Sequence, residues 1–168
     1  SKAAVMVNSV SALASAGTIM ILYWTIVHLA RRLFSNEELS IGEQIAVWGS
    51  GLVGALGFGF TDAFWFSAVE GEVYALSSFF TALVFWAILK WENVANEKNS
   101  NRWLVLISYL MGLSIGVHLL NLLAIPAIAM VYYFKKYEFS AKGVITALIA
   151  SMGILLGVQY GIIPGVPK

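Results

Sequence analysis

Residues 3–30 contain no Asp, Glu, Lys or Arg, and neither do residues 103–134. Each run stops at a pair of cations, Arg31-Arg32 and Lys135-Lys136. A helix apolar on every side has no face to offer to water, so runs of this length fold where lipid replaces it. Shorter runs of the same character cover 44–61, 73–89 and 143–163. Charged residues make up 11% of the chain, less than half of the roughly 25% in a soluble domain. Lipid-facing backbone must satisfy its own hydrogen bonds, which leaves helix for each run. The predicted fold is an all-α polytopic membrane helix bundle, a single transmembrane domain over 1–168 that is part of a larger protein. The chain has no cysteine, which excludes disulfides, thiolate catalysis and cysteine metal ligands. It has no basic face with interleaved aromatics, which excludes nucleic acid as a partner.

The number of crossings follows from charge. The run 103–134 is 32 residues long, whereas one crossing takes about 20. Cytoplasmic flanks carry the excess of Lys and Arg. With Arg31, Arg32, Lys90, Lys98 and Arg102 inside, a single crossing sends Lys135, Lys136 and Lys142 outside. A double crossing keeps them inside and collects eight of the ten cations on one face, leaving Lys2 and Lys168 at the chain ends. The sequence therefore predicts two short helices, 103–116 and 119–134, around a bend at Val117-His118. The total is about six transmembrane helices, by the same charge rule. On this topology Glu37, Lys98 and Lys136 are cytoplasmic, and Ser67 and Val166 face outward. Trp65 and Tyr74 fit an outer aromatic belt; Trp91, Trp103, Tyr132 and Tyr133 fit an inner one.

The stretch TDAFWFSAVEGEVY, Thr61 to Tyr74, carries the only charges between Glu43 and Lys90: Asp62, Glu70 and Glu72. The topology places all three on the outer face, with His118. Ser67-Ala-Val-Glu70 has the spacing of a capping box, which would make Ser67 the N-cap of the third span and occupy Glu70 there. Asp62 has a plain use at the end of the second span. Glu72 has none, and an acid at that depth points to function. His118, between Gly112-Gly116 and Pro126, marks the bend; broken helices recur at membrane sites for charged ligands. Gly112/Gly116 and the run Gly153, Gly157, Gly161, Gly165 have the small-xxx-small spacing that packs helices, inside one bundle or across a homo-oligomer. Asn8, Ser11, Ser15, Thr18 and Thr25 share a face of the first span and are expected to hydrogen-bond to other helices. No HxxH or DxD spacing supports a metal, and no P-loop or Ser-His-Asp order is present.

FWFSAVEGEVYALSSFFTALVFWAILKWE (64–92) and RWLVLISYLMGLSIGVHLLNLLAIPAI (102–128) resemble the bacterial multi-pass family catalogued as domain of unknown function 2723. That family is grouped as glycosyltransferase family 117 with a eukaryotic transmembrane O-mannosyltransferase. The marks are Glu72-Val73-Tyr74 and the GxxxGxH of Gly112 to His118. The resemblance implies a glycosyltransferase-C-like fold and a bacterial cytoplasmic-membrane location. It implies transfer of a mannose-like sugar from a polyprenyl-phosphate donor to an extracytoplasmic polypeptide. The family's D-x-G-E-F and G-H-P-P-G motifs are absent here, so the segment is expected to lack the N-terminal catalytic loop and to be inactive alone. Glu72 and Glu70 then match the acidic start of a later outer helix and take catalytic roles, with Asp62, Tyr74 and His118 as substrate-binding residues. No cofactor is implied. The competing readings are a transporter segment relaying ions through Glu72 and His118, and a non-catalytic membrane scaffold.

Overall fold

The structure, a computed structural model, describes residues 2–36 and 38–165, the side chain of Leu120 aside. Glu37 and Val166, assigned above to opposite faces, lie outside the described residues. All regular structure among the described residues is helical. The helices are α1 (Lys2–Arg31), α2 (Ile41–Gly59), α3 (Asp62–Val69), α4 (Val73–Val94), α5 (Asn101–Val117), α6 (Ala124–Lys136) and α7 (Ala141–Gly157). A 3-10 turn, Leu119–Leu123, joins α5 to α6, and α7 runs on through a π turn at Val158–Ile162. Three of these stretches, Lys2–Arg31, Val73–Val94 and Ala141–Gly165, are long and apolar enough to cross a membrane alone; α2 and α3 together form a fourth, bent by 66°. With the shorter hairpin arms α5 and α6, six helical stretches stand where six crossings were expected; three or four of them are long and apolar enough to span, in an integral membrane protein. The chain divides after Trp86 into two compact units.

In the first unit α1 and α2 pack antiparallel, and glycine sets how close they come. A Cβ on Gly51 would meet Val27 Cγ2 at 2.5 Å and both Tyr23 ring carbons at 3.0 Å, and one on Gly54 would meet Ile26 Cδ1 at 2.7 Å. Gly59 lies against Ile19, and Gly17 of α1 takes the ring of Phe79 from α4. The face of α1 turned inward is the polar one: Ser11, Ser15, Thr18 and Thr25 are buried. Here the structure corrects an expectation. The Thr18 hydroxyl donates to its own helix, at Ala14 O (2.9 Å), and Ser15 Oγ has no hydrogen-bond partner. The small side chains serve close approach more than interhelical bonding. At the other end of α1, Arg31 donates to Phe34 O (3.2 Å) and Asn36 O (2.6 Å), closing the turn into α2. A capping box starts α2: Glu43 N–H donates to Ser40 Oγ (3.3 Å), and Ser40 N–H donates to Glu43 Oε2 (2.8 Å).

In the second unit the chain does double back. Lys136, at the end of α6, donates to Ala95 O (2.5 Å) and Asn96 Oδ1 (3.4 Å), just past the end of α4. Four residues earlier Tyr132 stacks on Trp91 at 5.3 Å and 16°. Since α5 starts only six residues after Ala95, it must leave this level and α6 must return to it. A single straight crossing of 103–134 cannot make these contacts. The turn back begins at His118, whose backbone is extended (φ −157°, ψ 128°) and whose N–H closes α5 on Ser114 O. Pro126 falls in the first turn of α6, where a missing N–H costs least. Trp91 is 0% exposed, so it is a packing residue and not the lipid-facing belt residue expected.

A second correction concerns glycine. A Cβ on Gly112, Gly116, Gly153, Gly157, Gly161 or Gly165 would meet nothing within 4 Å. These glycines close no helix contact among the described residues. The close approach belongs instead to Gly143 at the start of α7, where a Cβ would run into Tyr133 OH and meet Tyr133 Cζ at 2.7 Å. Tyr133 earns that space by tying the α6–α7 turn: its hydroxyl donates toward Glu138 O (3.1 Å) and accepts from Ser140 N–H (3.2 Å). Gly143→Ala is therefore expected to lower the melting temperature in detergent, by the roughly 1–3 kcal/mol of an overpacked contact. Adding Tyr133→Phe should recover part of the loss. Equal melting of wild type and Gly143→Ala would refute the contact.

Candidate functional site

The three acids flank α3, the short helix set off by a break in the second span: Asp62 opens it, and Glu70 and Glu72 follow it. Gly57 and Gly59 precede it, and Thr61 ends one helix while starting the next. The Thr61 hydroxyl and N–H both donate to Phe58 O (2.8 and 3.1 Å), and Thr61 O accepts from Trp65 N–H (2.9 Å). Two aromatic pairs hold the break across its 66° angle. Phe58 and Phe64 sit 4.8 Å apart, and Phe60 stacks on Trp65 at 6.0 Å. Such pairs add about 0.5–1.5 kcal/mol each beyond burial.

Asp62 is therefore the first residue of α3, where a carboxylate suits the positive helix end, rather than a simple stop to the span. The proposed capping box at Ser67 and Glu70 is not formed. Ser67 lies inside α3 and donates to Ala63 O (3.0 Å), while Glu70 is the extended C-cap residue of α3 (φ −92°, ψ 143°). The same Ser-x-x-Glu spacing at Ser40 to Glu43 does form a box, because Ser40 stands at a helix start. Glu70 is half-buried, and Asp62, Glu72 and Tyr74 are exposed. Glu72 immediately precedes α4, and Tyr74 is in its first turn.

The acid loop also has a neighbour that sequence reading assigned elsewhere. A Cβ on Gly71 would meet Val7 Cγ1 at 2.7 Å and Asn8 Oδ1 at 3.1 Å. The Glu70–Glu72 loop thus rests on the N-terminal part of α1, with Asn8 beside it. Along α1, at 1.5 Å per residue, Val7 is roughly 36 Å from Arg31. The hydrocarbon core is about 30 Å thick. Along α1 the Glu70–Glu72 loop is thus separated from Arg31 and Arg32 by more than that thickness, the spacing the charge argument expects of these two acids. Ile19, which lies against Gly59 just before the break, is roughly 18 Å from Arg31, so the break and Asp62 lie well short of the Glu70–Glu72 loop along α1.

A small pocket of about 260 Å³ opens at the break. Phe58, Thr61, Ala63, Phe64 and Ser67 line it from the α2–α3 side, and Tyr74, Ser77 and Ser78 from α4. The second unit holds a different feature, an apolar groove of about 880 Å³ between α5 and the α6–α7 pair, walled by Ile107, Met111, Ile115, Ile128 and Ile154 among others. His118 belongs to this unit, half-buried at the end of α5. The structure therefore places Glu70, Glu72 and Tyr74 together around the α3–α4 loop, Asp62 at the opposite end of α3, and His118 at the turn of the α5–α6 hairpin.

The family described as Protein O-mannosyl-transferase TMEM260 N-terminal domain matches residues 1–141. The chain belongs to that family. No curated protein and no solved structure matches it. The match runs through α1 to the α6–α7 turn, so it contains the break, the acid loop and the hairpin. Membership makes the chain part of an O-mannosyl-transferase family of membrane glycosyltransferases, in agreement with the broader resemblance read from 64–92 and 102–128.

Proposed function

We propose that the chain supplies the membrane-embedded part of a glycosyltransferase that moves a mannose from a polyprenyl-phosphate donor to a hydroxyl of an extracytoplasmic polypeptide. We place it in a bacterial cytoplasmic membrane. The observation that carries the reading, beside the family, is the segregation of charge along the first unit: Glu70 and Glu72 beside one end of α1, Arg31 and Arg32 at the other. The transfer joins the acceptor oxygen to the anomeric carbon, breaks the bond from that carbon to the phosphate, and passes the hydroxyl proton to a base. Glu72, solvent-reachable at the head of α4, suits that base or the group that orients the acceptor. Glu70, released from any capping duty, is a second carboxylate beside it. His118, at the turn of the α5–α6 hairpin in the second unit, is a separate candidate for contact with substrate. The apolar groove between α5 and the α6–α7 pair suits an isoprenoid chain, which needs methyl-rich walls and no hydrogen bonds. Incubation of the full-length protein with radiolabelled polyprenyl-phosphate mannose and membrane-depleted acceptor polypeptide is expected to label the polypeptide. Label that stays on lipid with every acceptor offered would exclude the proposed reaction.

A further inference from the structure

We infer that the pocket at the α2–α3 break holds a single uncharged sugar ring; this rests on the glycosyltransferase reading for the kind of ligand, and on the pocket for its size and polarity. Five hydroxyl-bearing residues, Thr61, Ser67, Tyr74, Ser77 and Ser78, converge on about 260 Å³. That volume falls below the roughly 300–1,000 Å³ of pockets for drug-sized ligands and admits one ring, not an oligosaccharide or a lipid tail. Thr61 and Ser67 commit their protons to Phe58 O and Ala63 O, so toward a ligand their oxygens are acceptors. A pyranose brings the matching donors. Phe58 and Phe64 add ring surface for the sugar's C–H face.

Charge decides against an anionic group in the same place. None of the described lining residues is a cation, and the residues next in sequence to Thr61 and Tyr74 include Asp62 and, two before Tyr74, Glu72. A phosphate would gain no cationic partner from these residues and would have carboxylates nearby in the chain. The break interrupts an apolar span, where hydroxyls gathered on one pocket are better matched by a polar occupant than by lipid. Broken helices with polar linings are where membrane transport proteins hold their substrates, and the same physics applies to a sugar entering from the outer face.

The test is saturation-transfer NMR on the full-length protein in micelles, with methyl α-mannopyranoside as probe. Wild type should transfer saturation to the ring protons. Ser78→Leu, which fills the pocket, should abolish the signal. The milder pair Ser67→Ala with Ser78→Ala, which removes two acceptors without changing volume much, should weaken binding about tenfold. Mannose 1-phosphate should bind no more tightly than the methyl glycoside. Unchanged binding in both variants overturns the assignment, as does tenfold tighter binding of the phosphate that Ser78→Leu removes. Loss of probe binding in Ser78→Leu from a protein that transfers no sugar keeps the pocket and ends the transferase reading. Transfer with unchanged KM in Ser78→Leu does the reverse.

Discussion

Glu72→Gln in the full-length protein is expected to lower sugar transfer at least about a hundredfold, within the 10²–10⁴ range of a lost general base or orienting acid, with normal expression and melting. The side chain is exposed just before α4, and a neutral amide can also sit at a helix start. An amide keeps the shape and loses the proton acceptor. Glu70→Gln is expected to lower transfer less, by about tenfold, since its half-buried position beside α3 leaves it one step from solvent; the size rests on one charge-assisted hydrogen bond. Initial rates under saturating donor separate the two. Transfer at wild-type rate in Glu72→Gln would remove this residue from the site. Loss of folding in Glu70→Gln, with activity intact per folded molecule, would return Glu70 to a structural role.

Gly51→Ala should be the most damaging small substitution in the first unit. Its Cβ would stand 2.5 Å from Val27 Cγ2 and 3.0 Å from the Tyr23 ring, so α1 and α2 must separate, at about 1–3 kcal/mol. Gly112→Ala and Gly153→Ala should do the opposite. Their Cβ atoms meet nothing within 4 Å, and alanine in a helix is favoured over glycine by up to about 1 kcal/mol. Melting temperatures of the three variants in one detergent should fall on either side of wild type. A drop for Gly153→Ala as large as that for Gly51→Ala would mean that its open face is covered in the assembled protein.

The helices and the hairpin were legible because their causes are one-dimensional. Uncharged runs name the spans, and the parity of Lys135, Lys136 and Lys142 sends 103–134 back on itself, as Lys136 on Ala95 bears out. The acids were legible as a group for the same reason. Their local structure was not. Nothing in Phe60-Thr61-Asp62 announces a 66° break, because it arises when Thr61 takes Phe58 O away from the helix ladder and ring pairs form across the gap. The capping-box pattern occurs at both Ser40 and Ser67, but Ser40 is extended at a helix start while Ser67 lies inside α3. Glycine spacing misled in the same way. The four-residue repeat of Gly153 to Gly165 looks like a packing face, while the glycines that pack tightly, Gly51 and Gly143, are chosen by what stands opposite, Val27 and Tyr133. Asn8 beside Gly71 is a meeting of residues 63 apart in sequence, which no local pattern carries.

Everything proposed for the acids requires them on the outer face, opposite the cationic ends. The chain has no cysteine, so single cysteines report cleanly. Glu72→Cys, Lys98→Cys and Glu138→Cys in intact cells should be challenged with a membrane-impermeant maleimide, before and after permeabilisation. The account predicts that position 72 reacts in intact cells, and that positions 98 and 138 react only once the membrane is opened. Reaction at 138 from outside, or protection of 72 until permeabilisation, would contradict it.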